Sequence, residues 1–319
     1  MISRPGTVHA RHELPVLAPY RLDLTVSALR RLSTNVVDVL TTDGAYVRAL
    51  GGAPVPLIVH VAQTRPEALT VAVEGQAAGH APALALVRRM LGVDRDLTPF
   101  HRAAARIPWL SPLAQRMRGV KPPRYPTLWE ACVNAIVFQQ VSLLAASAIL
   151  RRLILALGSP LERQGVPLFT FPTAESVLEA DDDVLRALGL SAGKLATLRR
   201  VGEALASDTL SEALLEERSS PDAAALLRRI RGIGPWTAAV VLLRGLGRLD
   251  VFPMNDSSVA RNLAMVAGPA PIDTAGTLDA LMPQQGMLYY HLLLARLEAR
   301  GDLGRASAVA LDRASGVAE

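Results

Sequence analysis

The chain has 319 residues, half of them apolar, and a mean hydropathy of +0.26, enough to bury a core in two or three domains. Cys132 is its only cysteine, which excludes an internal disulfide, a cysteine-rich zinc site and a four-cysteine iron–sulfur cluster. The net charge of +5 is carried almost wholly by arginine, Lys121 and Lys194 being the only lysines; this suits a polyanionic partner, but an arginine- and alanine-rich genome yields the same balance. No apolar run reaches the roughly 18 residues of a membrane span. The first residues, MISRPGTVHARHELP, hold no apolar signal core, so no membrane contact and a cytoplasmic location are expected.

In chain order, residues 1–17 form an N-terminal extension to which the sequence assigns no role. Tyr20, Leu22, Leu24 and Val26 alternate with Arg21, Asp23, Thr25 and Ser27, the period of a half-buried strand. NVVDVL and AYVRAL flank TTDG as a hairpin, and VPLIVHV and LTVAVEG supply two more strands. An antiparallel sheet domain is therefore expected over residues 18–93, its strands lying between about 18 and 75. From APALALVRRMLG onward the period turns helical, with Pro- and Gly-containing breaks at RGVKPPRYP, LGSPLERQGVP, SSPD, MVAGPAP and MPQQG. The fold class is α+β, with a helical domain over residues 94–319.

Within that domain, RIRGIGPWTAAVVLL joins two amphipathic helices, AALLRRI and WTAAVVLLRGL, through a turn too tight for ordinary residues. Gly232 and Gly234 supply unusual dihedrals and let the backbone approach a ligand, and Pro235 opens the second helix where its missing N–H costs nothing. Unshielded amides at that helix start suit an anion. No Lys-Ser or Lys-Thr follows, so the turn is not a nucleotide P-loop. A plain helix–helix turn would use the same residues. Asp256, followed by Ser257 and Ser258, has the form of a helix N-cap.

The pattern Leu227-x-x-Ile230-x-Gly232-Ile233-Gly234-x-Trp236-Thr237-Ala238 over the hairpin at 226–245 resembles the helix-hairpin-helix of the DNA glycosylase superfamily. In that superfamily a Gly/Pro-rich loop and an aspartate follow, and Asp256 stands about twenty residues beyond Trp236, inside DVFPMNDSSVARNL. PTLWEACVNAIVFQQVSLLAASAIL and LGLSAGKLATLRRVGEAL resemble two further segments of its alkylpurine branch, typified by 3-methyladenine DNA glycosylase II.

The resemblance implies a partner, double-stranded DNA carrying a damaged base, and a reaction: hydrolysis of the N-glycosidic bond of a base flipped out of the duplex, leaving an abasic site. It assigns DNA-backbone contacts to Gly232, Ile233, Gly234, Trp236 and Thr237, with field added by Arg229, Arg231 and Arg244. It makes Gln140, in the QQVS loop, the wedge that fills the vacated stack, with Gln139 a weaker candidate and Ser142 capping the next helix. It makes Asp256 the catalytic carboxylate that stabilises an oxocarbenium-like sugar and orients water. Bifunctional lyases of the superfamily carry a lysine where Trp236 stands, so a monofunctional hydrolase is expected.

Alkylpurine enzymes hold a cationic base against aromatic faces, yet this chain is only 4% aromatic, and Gln284 stands where an aromatic commonly follows the proline. Trp236, Tyr289 and Gln284 are the candidate base-pocket residues; Tyr290 and His291 lie beside them, with Trp109 and Trp129 expected in the core. A glycosylase for deaminated bases and a non-catalytic damaged-DNA-binding protein stay open as alternatives. No metal and no cofactor are expected, though the hairpin carbonyls leave room for a monovalent cation. A monomer associated with the nucleoid is expected.

Overall fold

A computed structural model of the chain describes residues 8–51, 56–163, 165–254, 256–268 and 272–304. Five antiparallel strands form one sheet: β1 (Val8–Pro15), β2 (Val39–Leu40), β3 (Tyr46–Leu50), β4 (Leu57–Arg65) and β5 (Ala68–Gly75), in the order β1-β5-β4-β3-β2. β4 and β5 turn over two residues, between the paired Arg65 and Ala68. The TTDG loop joins β2 to β3, its Thr41 amide donating to Ala45 O at 2.8 Å. β1 falls inside the stretch set aside as an extension, yet it pairs along the whole of β5. Its alternation is faint because His9, Arg11 and Glu13 lie exposed, and among its described side chains Leu14 is the large buried apolar one.

The strand expected at Tyr20–Val26 is instead a helix, Leu22–Arg30. The alternation misleads because its polar members are as buried as its apolar ones, every residue from Leu22 to Leu29 being inside. Each polar group is satisfied locally: Asp23 accepts from Arg21 at 2.8 and 2.6 Å, Thr25 Oγ1 donates to Arg21 O at 2.8 Å, and Ser27 Oγ donates to Asp23 O at 2.6 Å. From β4, Gln63 accepts from Leu22 N at 3.0 Å and donates to Tyr20 O at 3.0 Å, covering backbone groups that a helix start leaves free.

Beyond the sheet the chain is helical apart from a two-stranded hairpin, β6 (Pro160–Arg163) and β7 (Val166–Phe169), which sequence period had treated as a break. The central helix, Leu128–Val137, is buried on every side and packs against Pro235–Gly245 and Ala192–Ala206. A Cβ on Gly245 would lie 2.7 Å from the Ala131 Cβ, so glycine there lets the first two helices close. One apolar cluster runs from the inner face of the sheet through these helices; a second gathers around Gly286–Arg300 and the Thr98–Ala104 and Ser111–Arg116 helices.

The sheet is tied to the helices by charge as well. Arg48, mid-strand in β3 and 1% exposed, bonds Asp38 at 2.5 Å and Glu130 of the central helix at 2.5 Å, while Tyr46 Oη donates to Asp38 at 2.7 Å. Removing one member of such a buried set typically costs about 3–5 kcal/mol, because the others are left unpaired.

The second cluster encloses two imidazoles against Phe100, with ring centroids 5.5 Å away for His101 and 4.7 Å for His291. Burial pushes both down to about 4. The folded protein thus refuses protons that the unfolded chain takes up below about 6.5, so stability is full above 6.5 and falls as pH drops toward 4. The urea midpoint is expected to fall between pH 7 and pH 5, with about 1–2 kcal/mol of the loss due to His291. In His291→Gln that loss should shrink; an equal fall in the variant and the wild type would contradict the assignment.

Candidate nucleic-acid interface and carboxylate

The hairpin forms as its residue types require. Helix Ser220–Arg228 ends in a turn in which Ile233 N donates to Ile230 O at 3.0 Å, and Gly234 is the N-cap of Pro235–Gly245. Gly232 has φ +102°, and a Cβ there would meet Thr197 Oγ1 of the Ala192–Ala206 helix at 1.9 Å. Space in front of Gly234 is open, with nothing within 4 Å of where a Cβ would stand.

Among the described residues, no hydrogen bond within the chain takes the amides of Gly232, Gly234, Trp236 or Thr237. Gly232 is exposed and Gly234 and Trp236 are half-buried, so their amides are open to an anion near a helix N-terminus, whereas Thr237 is 2% exposed. Ile233, expected to share the contact, differs: its amide is spent on Ile230 and its side chain is 5% exposed, so it anchors the turn from inside. The Thr237 hydroxyl is also spent, accepting from Gln139 Nε2 at 2.7 Å.

Asp256 is the N-cap of Ser257–Ala267, as its residue type suggested, and it also reaches the hairpin. Its Oδ1 accepts from the Ser258 amide at 2.7 Å, from the Ser258 hydroxyl and, at 3.4 Å, from the Val259 amide. Its Oδ2 accepts from the Trp236 indole Nε1 at 2.8 Å. The first oxygen is thus saturated, while Oδ2 keeps acceptor capacity toward the half-exposed side. Capping and positioning are one arrangement: the helix start fixes one oxygen and the tryptophan aims the other.

Gln140, expected as the wedge, is exposed at φ +53°, between Phe138 at the end of the central helix and Ser142. Ser142 caps Leu143–Leu157, its Oγ accepting from Ala145 N at 3.2 Å. Exposed Val141 and Leu144 flank the glutamine. Gln139, the weaker candidate, has a different role: Nε2 donates to Gly232 O at 3.0 Å as well as to Thr237, lashing the wedge loop to the hairpin. Lys194 supports the same loop, its Nζ donating to Val137 O at 2.8 Å at the negative end of the central helix. Two adjacent glutamines carry no pattern that tells the tie from the wedge.

Two other expectations need correction. Arg244 adds no field at the surface: it is fully buried, donates to Ala28 O at 2.8 Å and Leu29 O at 3.0 Å, and lies 5.0 Å from the Tyr125 ring centroid, holding the Leu22–Arg30 helix to the core. Gln284 does not offer its amide to a base pocket; it accepts from Phe100 N at 3.0 Å and donates to Asp96 O at 2.8 Å, fastening the Thr98–Ala104 helix start. Tyr289 is half-buried edge-to-face with Tyr290 at 5.7 Å, and no hydrogen bond among the described residues joins it to Trp236 or Asp256. Tyr290 and His291 are wholly inside, and Trp129 is buried with its indole on Pro172 O at 2.9 Å. Arg229 and Arg231 are exposed beside the free amides.

The hairpin with its unpartnered amides, the carboxylate bonded to its tryptophan and the loop tied alongside lie in a region that comparison with known proteins assigns to a family. The model of the HhH-GPD superfamily base excision DNA repair proteins matches residues 133–282. A DNA-3-methyladenine glycosylase of Bacillus subtilis is 29% identical over 180 residues, 56% of this chain and 59% of the relative. The "Probable bifunctional transcriptional activator/DNA repair enzyme AlkA" of Mycobacterium tuberculosis is 31% identical over 253 residues, 79% of this chain. The chain spans about half the length of that relative, 49%. The solved 3-methyladenine DNA glycosylase of Archaeoglobus fulgidus superposes with a TM-score of 0.75 at 22% identity, over 90% of this chain and 99% of the other. An 8-oxoguanine glycosylase/lyase of Clostridium acetobutylicum superposes with a TM-score of 0.68 at 13% identity, over 92% and 98%. These two show the fold, α+β with the sheet preceding the helices. The matched region, residues 133–282, belongs to the helix-hairpin-helix superfamily of base excision DNA repair proteins.

Gly232→Ala tests the hairpin directly. Strain at positive φ and the clash with Thr197 are expected to cost about 2 kcal/mol or more by chemical denaturation. Gly234→Ala, which meets open space at an extended φ of −89°, should cost far less. Equal losses at the two glycines would contradict this reading.

Proposed function

We propose that the chain is a monofunctional DNA glycosylase that hydrolyses the N-glycosidic bond of a flipped-out damaged base, an alkylated purine, and leaves an abasic site. The observation that supports the reading is the 2.8 Å hydrogen bond from Trp236 to Asp256, which joins one carboxylate to the helix that follows the hairpin turn.

The amides of Gly232, Gly234 and Trp236 take a phosphate of the damaged strand, a contact that positions DNA without reading sequence. Gln140 fills the space left by the extruded base and hydrogen-bonds its orphaned partner. As the bond to the base breaks, positive charge builds on the sugar. Asp256 Oδ2 stabilises that charge from a fixed direction and orients the attacking water, a preorganised electrostatic effect. An alkylated purine is already cationic, so it leaves without a general acid. Lyase chemistry needs an amine near the sugar, and neither lysine side chain supplies one: Lys194 is spent on Val137 O, and Lys121, 2% exposed, donates to Arg95 O at 2.8 Å.

The test is a panel of duplex oligonucleotides, each carrying one alkylated or deaminated base, incubated with wild type and Asp256→Asn. Base release from an alkylated-purine duplex is expected, reduced at least 100-fold in the variant, with abasic-site binding kept and no borohydride-trapped adduct. Release from deaminated duplexes alone would move the substrate assignment; binding with no release from any duplex would favour a non-catalytic damage binder.

A further inference from the structure

A second cleft is lined by none of the hairpin residues and lies between the Leu29–Asp38 segment and the helices Leu128–Val137 and Leu143–Leu157. It holds about 30 Å³ of water-accessible space, room for ordered water or a small ion rather than for a larger organic ligand. Its charge is lopsided. Arg30, Arg31 and Arg151 line it, whereas its two carboxylates, Asp38 and Glu130, are both bonded to Arg48 behind them.

Arg31 is 4% exposed, and its guanidinium carbon lies 3.7 Å from the Phe138 ring centroid. No ion pair among the described residues includes it, and its Nη1 has no hydrogen-bond partner. Arg30 Nε is likewise buried and unpartnered, its Nη2 donating to Asp302 O at 3.3 Å. A water could satisfy an N–H but leaves the charge uncompensated, and a ring face returns only part of the hydration that a buried guanidinium gives up.

We propose that this cleft binds a phosphate-class oxyanion, held by Arg31 from the wall and by Arg30 and Arg151 from the rim. Planar guanidinium forks match such an anion in geometry and sign. The anion could be free inorganic phosphate or a phosphate of the DNA backbone, and the site stands independently of the glycosylase reading.

Inorganic phosphate titrated at constant ionic strength against the full chain, read by thermal unfolding, tests the site. Wild type should show a saturable rise in Tm. The apparent Kd should weaken at least tenfold in Arg31→Met and in Arg151→Ser, the latter an exposed residue whose loss spares the core. The same phosphate response in wild type and both variants, the general salting effect, overturns the proposal. Binding of undamaged duplex across salt concentrations identifies the source. If DNA supplies the phosphate, Arg31→Met lowers the salt slope by about one and free phosphate competes. If the free ion is the ligand, the slope is unchanged while the thermal response is lost. Neither measurement scores base release, so failure here is separate from failure of the glycosylase reading.

Discussion

The bond between the Trp236 indole and Asp256 is the constraint on which the site depends, because it joins two elements that contribute different chemistry. Trp236 opens the helix whose amides face outward, and Asp256 opens the next helix beyond the DVFPMND loop. The carboxylate could not hold one direction by capping alone, since a cap fixes only the oxygen turned to its own helix. With Oδ1 saturated by Ser258 and Val259, and Oδ2 gripped from the hairpin, rotation of the carboxylate breaks bonds at both ends. That rigidity is what an electrostatic role requires.

The hairpin is in turn held by its neighbours. Thr197 fills the space a Cβ at Gly232 would need, and Gln139 bonds both the Gly232 carbonyl and the Thr237 hydroxyl. The hairpin turn, the Gln139–Gln140 loop and the Ala192–Ala206 helix are therefore tied together. Gln140 owes its exposed, left-handed placement to this tie at the preceding residue.

Much of this was legible in the sequence, for reasons that differ by element. Glycines and a proline in a short turn have few structural uses, so the hairpin and its open amides followed from residue type. Asp256 and Ser142 carried the cap signature, and both cap helices. What sequence could not convey was the direction of side chains at long range. Arg244 has the charge of a surface residue but accounts for itself only through the Ala28 and Leu29 carbonyls, more than 200 positions away. Gln284 answers to Asp96 and Phe100 in the same way. The Leu22–Arg30 helix was misjudged because alternation signals a strand only when the polar residues meet water, and these do not.

That helix also explains why the sheet and the helical region are coupled. Its far end is pinned by Arg244 of the hairpin's second helix, its start by Gln63 of β4, and Arg48 of β3 reaches Glu130 on the central helix. Buried polar ties of this kind contribute little net stability compared with apolar packing, but they penalise any arrangement in which the partners separate. The central helix that Glu130 anchors ends at Phe138, immediately before Gln139 and Gln140. A chain of directional contacts thus runs from the sheet to the Gln139–Gln140 loop, and the sheet helps to fix where the central helix ends.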